Sequence, residues 1–520
     1  MAFIPPTFAV SIVKERETGA MHQQLISGVS IASYWLSTYA WDVANYLVPY
    51  SIFLILMSGF GITDLISGQA GSATAMLLLT YGLSVAPFTY VMSFAFSSHS
   101  NAQTFVLVFN LLAVILLIAS FVMQQIIQSG VCAADARLVF LYRLFPGFAL
   151  GQGLLRLSLI KTLPFLLTGC GTVPTSQLIG KVYAPFDLEV TGYPILYMLL
   201  SAVAYLALAV LIETLLSNPS ARARLWPDRE PPAGRAAGGE EAEDEDVAAE
   251  AARVDAGGAS GEVVVFKHLR KVYGGAKVAV RDLTLGIKAG ETFGLLGING
   301  AGKTTSLKCL SGDVLPTRGT ASVSGYDILR EQPSVRRLLG YCPQFDALLE
   351  LLTVREHLEL FAAIKRVPAA DTARVVADKI AEMDLAEYAN KLAGSLSGGN
   401  KRKLNVAMAT VGARPGSILV FDEPTTGVDP ATKRKLWRVM ARIAAGGTSI
   451  ILVSHSMEVG WGSGVGEGVG RSPRSLTRAL ASPTHTHPPP PHPLRSARPC
   501  ASASASQWAG ACAAWAPHST

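Results

Sequence analysis

Three short stretches of this 520-residue chain could do chemistry on a phosphate. The first is Gly297-Ile298-Asn299-Gly300-Ala301-Gly302-Lys303-Thr304, which follows the uncharged run TFGLL and precedes SLKCLSG. Its glycines let backbone N–H groups curl around phosphate oxygens, and a helix starting there adds its partial positive end. Lys303 would reach the β/γ-phosphates and the Thr304 hydroxyl would ligate Mg²⁺. The second stretch is Asp422-Glu423, directly after Ser417-Ile418-Leu419-Val420-Phe421. An acid at the tip of a strand beside a phosphate loop can hold Mg²⁺ through water, and the next carboxylate can polarise the attacking water. The third, Ser397-Gly398-Gly399, opens a predicted helix and forms a second anion cradle by the same N-terminal logic. Ser-Gly-Gly is a weak signal alone, and an acidic pair at a strand end is often only a helix cap. Their order along the chain points instead to a nucleoside triphosphate, with Mg²⁺.

Elements must hold these residues. From residue 262 to 458 the pattern is short strands, turns and helices, an α/β domain. The first 217 residues are different. Runs near 31–62, 72–96, 102–127 and 192–216 are apolar and long enough to cross a bilayer as helices, and 1–13 reads as the back half of another crossing. Four crossings separate the polar segment 14–30 from Arg222, Arg224 and Arg229, which puts both on one side, the cytosolic one by charge. Residues 136–163 on the far side are apolar with interspersed Arg and Gly, so they predict a re-entrant or interfacial hairpin. Asp42, beside Trp41, is expected at the membrane interface, hydrated. Residues 218–261 hold the acidic run 240–246 among Pro, Gly and Ala, and are expected to be a disordered linker.

The net charge of +6 does not imply nucleic acid, because most of the excess sits in one odd tail. Between Val459 and Thr520 there are five arginines and one acid, Glu467. Cysteines show no metal-ligand spacing, and Cys309 and Cys342 are expected as free thiols.

The sequence of motifs, GINGAGKTT, YCPQFDAL, LSGGNKRKL, DEPTTGVDP and SHSME, resembles the ATP-binding cassette (ABC) family, and their wording resembles its A subfamily. From about Phe3 to Glu458 the chain is similar to the carboxy-terminal half of such transporters. Residues 14–30 look like the cytosolic coupling segment, and FPGFALGQGL resembles the outer hairpin. The resemblance implies an α-helical transmembrane domain followed by an α/β P-loop NTPase (ABC ATPase) domain; the composition after Glu458 adds a disordered C-terminal tail. It implies ATP and Mg²⁺, with Gly297, Asn299, Gly300, Ala301, Gly302, Lys303, Thr304 and Thr305 around the phosphates. Tyr273 would stack on adenine, and Gln344 would sense Mg²⁺ and the attacking water. Asp429 would meet a partner cassette, and His455 would contact the γ-phosphate. Ser397, Gly398 and Gly399 would close over ATP held by a second ABC half, in a longer chain or in trans. The implied activity is ATP-driven movement of lipids or other amphiphiles by a multi-pass membrane protein whose cassette is cytosolic. Two readings compete: a soluble-type ABC ATPase, which the apolar runs oppose, and a membrane-anchored nucleotide-binding fragment without transport.

After Glu458 the pattern stops. GWGSGVGEGVGRSPR and the proline- and alanine-rich sequence beyond it lack the periodicity of a helix or strand. Residues 459–520 are therefore expected to be low-complexity sequence foreign to the cassette, which would then lack its C-terminal end.

Overall fold

The computed structural model describes residues 3–125, 129–161, 182–218, 221, 224–225, 245–274, 277–297 and 300–454. Asn299, His455 and the whole of 459–520 lie outside the described residues.

The N-terminal part is helical. Helix α1 (Ile4–Glu17) has prolines in its first turn, where a missing N–H costs nothing. Gly19 and Gly28, both at positive φ, bracket the short α2 (Ala20–Ser27). The chain then enters α3 (Ile31–Gly59), whose start is capped by Ser30 Oγ accepting from the Ser33 N–H at 3.1 Å. After the single turn α4 (Thr63–Ile66) come α5 (Gly68–Ser93) and α6 (His99–Gln125). Helices α7 (Ser129–Tyr142) and α8 (Pro146–Ser158) occupy the stretch where a hairpin was expected, each packed on α6, and α9 (Tyr193–Ser217) is the last long helix described. Among the described residues four helices, α3, α5, α6 and α9 with its leading turn, are long and apolar enough to cross a membrane. Helix α5 lies at the centre, against α1, α3, α8 and α9. By contrast α6 exposes Leu111, Leu112, Ile115 and Ile118, as a lipid-facing helix would.

Two expectations change here. Asp42 is buried rather than hydrated: Tyr90 on α5 donates its hydroxyl to Asp42 Oδ2 at 2.6 Å. Helix packing supplies the donor that water would otherwise provide. The acidic segment is also not featureless throughout. Residues Glu245–Asp255 form helix α10, because Arg253 bonds Glu250 and Glu262 while Glu250 Oε1 accepts the Gly286 N–H at 3.1 Å. Val254 is buried there with Ala259 and Val265.

The cassette has two sheets. One is antiparallel, in the order β2 (Lys277–Ile287), β1 (Val264–Tyr273), β4 (Arg318–Val323), β5 (Tyr326–Asp327). The other is parallel, in the order β3 (Thr292–Leu296), β8 (Ser449–Ser454), β7 (Ile418–Asp422), β6 (Leu339–Cys342). Strands β7 and β8 are buried along their length, which explains their continuous apolar runs. Register pairs Leu296 with Ser454, Asp422 with Val453 and Cys342 with Phe421. The chain thus leaves β3, β7 and β6 at one edge, the carboxyl ends where parallel sheets bind ligands. Helix α11 (Lys303–Ser311) follows β3, and α12 (Gln332–Leu338) leads into β6. Then come α13 (Val354–Ile364), α14 (Ala369–Glu382), α15 (Gly398–Thr410) and α16 (Pro430–Ala445), the first opened by a capping box of Thr353 and Glu356.

Candidate functional site

The loop after β3 turns into α11 at Gly302, whose φ is +89°. A Cβ there would run into the Ala279 carbonyl on β2, so only glycine fits. Lys303 is buried, and its Nζ donates to the Gly297 carbonyl at 2.6 Å, across the mouth of the loop. Burial lowers the Lys303 ammonium below its ordinary range, and the nearby Glu423 and Asp422 oppose that. Thr304 and Thr305, in the first turn of α11, are half-buried.

Strand β7 delivers the acids. Thr304 Oγ1 donates to Asp422 Oδ1 at 3.3 Å, while Asp422 Oδ2 is buried with no hydrogen-bond partner among the described residues. Burial pushes the Asp422 carboxyl up, and the Thr304 hydrogen bond pulls against it. A buried carboxylate oxygen without a donor, beside a threonine hydroxyl, suits a hard cation that takes oxygen ligands. The residues present therefore fit Mg²⁺. Glu423 adopts φ +50°, rare for a residue with a side chain. That turn aims its carboxylate sideways, where Oε2 accepts from Gln344 Nε2 at 3.3 Å and Thr426 Oγ1 at 3.0 Å. Gln344, expected near Mg²⁺, is thus brought to Glu423.

Other candidates stand apart from this cluster. Tyr273 ends β1 and is 38% exposed, with Lys271 Nζ 5.2 Å from its ring. Ser397 and Gly398 are exposed and Gly399 half-buried at the start of α15, with no hydrogen bond to the β3–α11 loop among the described residues. Asp429 caps α16 by accepting the Thr432 N–H at 2.9 Å. Cys309 and Cys342 are both buried.

Two features escaped the sequence reading. Arg402 on α15 is buried beside the acids and bonded to both neighbouring loops. Its only sequence signal is a basic residue on the inward face of that helix. The other is which residues of the expected coupling segment 14–30 fit the cassette, and where. Gln23 Nε2 donates to the Tyr341 carbonyl on β6 at 2.5 Å, Ile26 is buried within the cassette core, and Lys14 pairs with Glu350 at 2.6 Å. Residues 14–30 therefore touch the cassette three residues before Gln344.

The family model "ABC-2 family transporter protein" matches residues 1–211, and the model "ABC transporter" matches 280–426. The chain thus carries both an ABC membrane part and an ABC ATPase part, and it is similar to A-subfamily ABC transporters over 88% of its length. ATP-binding cassette sub-family A member 7 of Mus musculus is 37% identical over 464 residues, covering 88% of this chain and 20% of its own length. The Homo sapiens protein named phospholipid-transporting ATPase ABCA7 is 37% identical over 463 residues, with the same coverage. Retinal-specific phospholipid-transporting ATPase ABCA4 of Bos taurus is 37% identical over 461 residues, covering 88% of this chain and 19% of its own. The chain spans about a fifth of the length of these curated relatives. Within this ABC chain, the membrane model covers α1 to α8 and most of α9, so the four long apolar helices are those of an integral membrane protein. The cassette model covers the β3–α11 loop, Gln344, the Ser-Gly-Gly turn and both acids.

Proposed function

We propose that this chain is one half of an ATP-driven transporter that moves phospholipids or other amphiphiles across or out of a bilayer, its cassette in the cytosol. The carrying observation is that Thr304–Asp422 and Gln344–Glu423 meet at one sheet edge, three residues from the main-chain carbonyl that Gln23 of α2 grips. Backbone N–H groups from 297 to 305 cradle the phosphates, and Lys303 turns its ammonium from the Gly297 carbonyl toward the β/γ oxygens. Thr304 and Asp422 hold Mg²⁺, which when bound neutralises charge on the phosphate oxygens. Glu423 orients the attacking water, with Gln344 fixing its carboxylate and His455 contacting the γ-phosphate. Tyr273 stacks on adenine. The exposed Ser397–Gly398–Gly399 turn closes over nucleotide on a second ABC half. The names of the relatives support phospholipid as substrate.

Reconstitution of the chain with a second half in liposomes tests this. ATP-dependent lipid movement abolished by Glu423→Gln, with ATP still bound, is the expected result. Lys303→Ala should weaken ATP binding by about tenfold or more. ATP binding without turnover in the complete pair would favour a membrane-anchored nucleotide-binding module. Release of the chain by alkaline carbonate would exclude the membrane reading.

A further inference from the structure

Arg402 is 3% exposed, on the helix that begins at the Ser-Gly-Gly turn. A guanidinium has five N–H donors, and here each has its own main-chain carbonyl. Nε donates to Pro424 at 3.1 Å; Nη1 to Pro343 at 2.6 Å and Gln344 at 3.1 Å; Nη2 to Asp422 and Glu423, both at 2.7 Å. The nearest carboxylate, Asp346 Oδ1, is 3.9 Å away and is itself held by Asn405 Nδ2 at 2.8 Å. The charge is therefore held by five short carbonyl contacts from the Gln344 loop and the Asp422–Pro424 loop, with the longer ion pair to Asp346 beside them. Lysine, with three donors on one nitrogen, cannot serve five acceptors in two loops.

The contact bears on strain as well. Glu423 holds a left-handed φ of +50°, a conformation that persists only when its surroundings over-determine it. Its N–H bonds the Val453 carbonyl at 3.1 Å, and its own carbonyl takes Arg402 Nη2. The carboxylate then meets Gln344, whose carbonyl is also on Arg402.

We propose that Arg402 is a positioning residue: it locks the Gln344 loop and the Asp422–Glu423 turn to the helix of the Ser-Gly-Gly turn, so that Glu423 and Gln344 take their hydrolytic orientation as one unit. Movement of the Ser-Gly-Gly helix against a second cassette is thereby passed to the attacking-water site on its own cassette. The inference rests on the hydrolysis reading above, so its test has a readout that needs no turnover.

Amide hydrogen exchange is measured on the full chain with its second half, for wild type, Arg402→Met and Arg402→Lys, with ATP affinity and the KM and kcat of hydrolysis. In Arg402→Met, exchange at residues 344–346 and 423–426 should rise together by about tenfold, with β1 and β2 unchanged. ATP affinity and KM should stay within about threefold, while kcat falls by about a hundredfold. Arg402→Lys should give smaller losses in the same pattern, and carries the test if the methionine variant does not fold. Faster exchange in one loop alone, faster exchange throughout the cassette, or loosened loops with unchanged kcat would each overturn the proposal. A wild-type pair that never hydrolyses ATP would instead sink the transporter reading, and the exchange pattern would still decide whether Arg402 locks the two loops.

Discussion

At Asp422, one carboxylate oxygen takes the Thr304 hydroxyl and the other, fully buried, has no donor among the described residues. Burial raises this carboxyl above its ordinary value, so the folded state holds the proton more tightly than the unfolded one. Stability is then greatest at pH below the ordinary carboxylate range and is lost as pH rises through the raised value. At neutral pH without Mg²⁺, Asp422→Asn should raise the melting temperature. It should also remove the extra stabilisation that Mg²⁺ adds to ATP; calorimetry with and without the metal checks both. Lys365 is the opposite case. Its Nζ donates to the Leu339 carbonyl at 2.8 Å, and burial lowers its pKa from 10.5 to about 8. Between those values the unfolded chain binds more protons, so stability should rise as pH rises from about 8 toward 10.5. Denaturant titrations across that window should show the rise in wild type and its loss in Lys365→Met.

Among the elements, α2 has the largest consequence for its size. Eight residues place Ile26 in the cassette core and Gln23 on the Tyr341 carbonyl. Ile26→Ala should cost about 2–5 kcal/mol of docking, as for other buried large-to-small changes. ATP binding should persist while lipid moved per ATP falls, as read in proteoliposomes. Helices α3 and α5 make a second pair worth testing. Tyr90→Phe leaves the buried Asp42 carboxylate without its donor and should destabilise the membrane part by about 1–3 kcal/mol, measured by unfolding in detergent. Helix positions were legible from apolar run length: the stretches near 31–62 and 72–96 became α3 and α5 within a few residues. Helix α10 was not, because its alanine- and acid-rich composition matches disorder until Arg253 bridges Glu250 and Glu262.

On the scale of the whole molecule, one chain presents one phosphate loop and one Ser-Gly-Gly turn, with no hydrogen bond between them among the described residues. Purified alone, the chain should bind ATP with little hydrolysis. Addition of a second half should raise the rate in proportion to complex formed, which an ATPase titration against that half would measure. A rate independent of the second half would contradict the shared site.

The sequence by itself determined the chemistry on offer. Motif spacing placed Lys303 and Thr304 at a helix start and Asp422 and Glu423 at a strand end, because a phosphate loop and a strand-end acid are local devices that few residues specify. It likewise determined that four segments could cross a bilayer, because span length is a local property. Tertiary structure alone decided which residues meet across long separations. Gln23 reaches Tyr341, Tyr90 reaches Asp42, and Arg402 gathers carbonyls from two loops. These partners carry no shared pattern in the sequence, because what joins them is the register of a parallel sheet and the packing of helices.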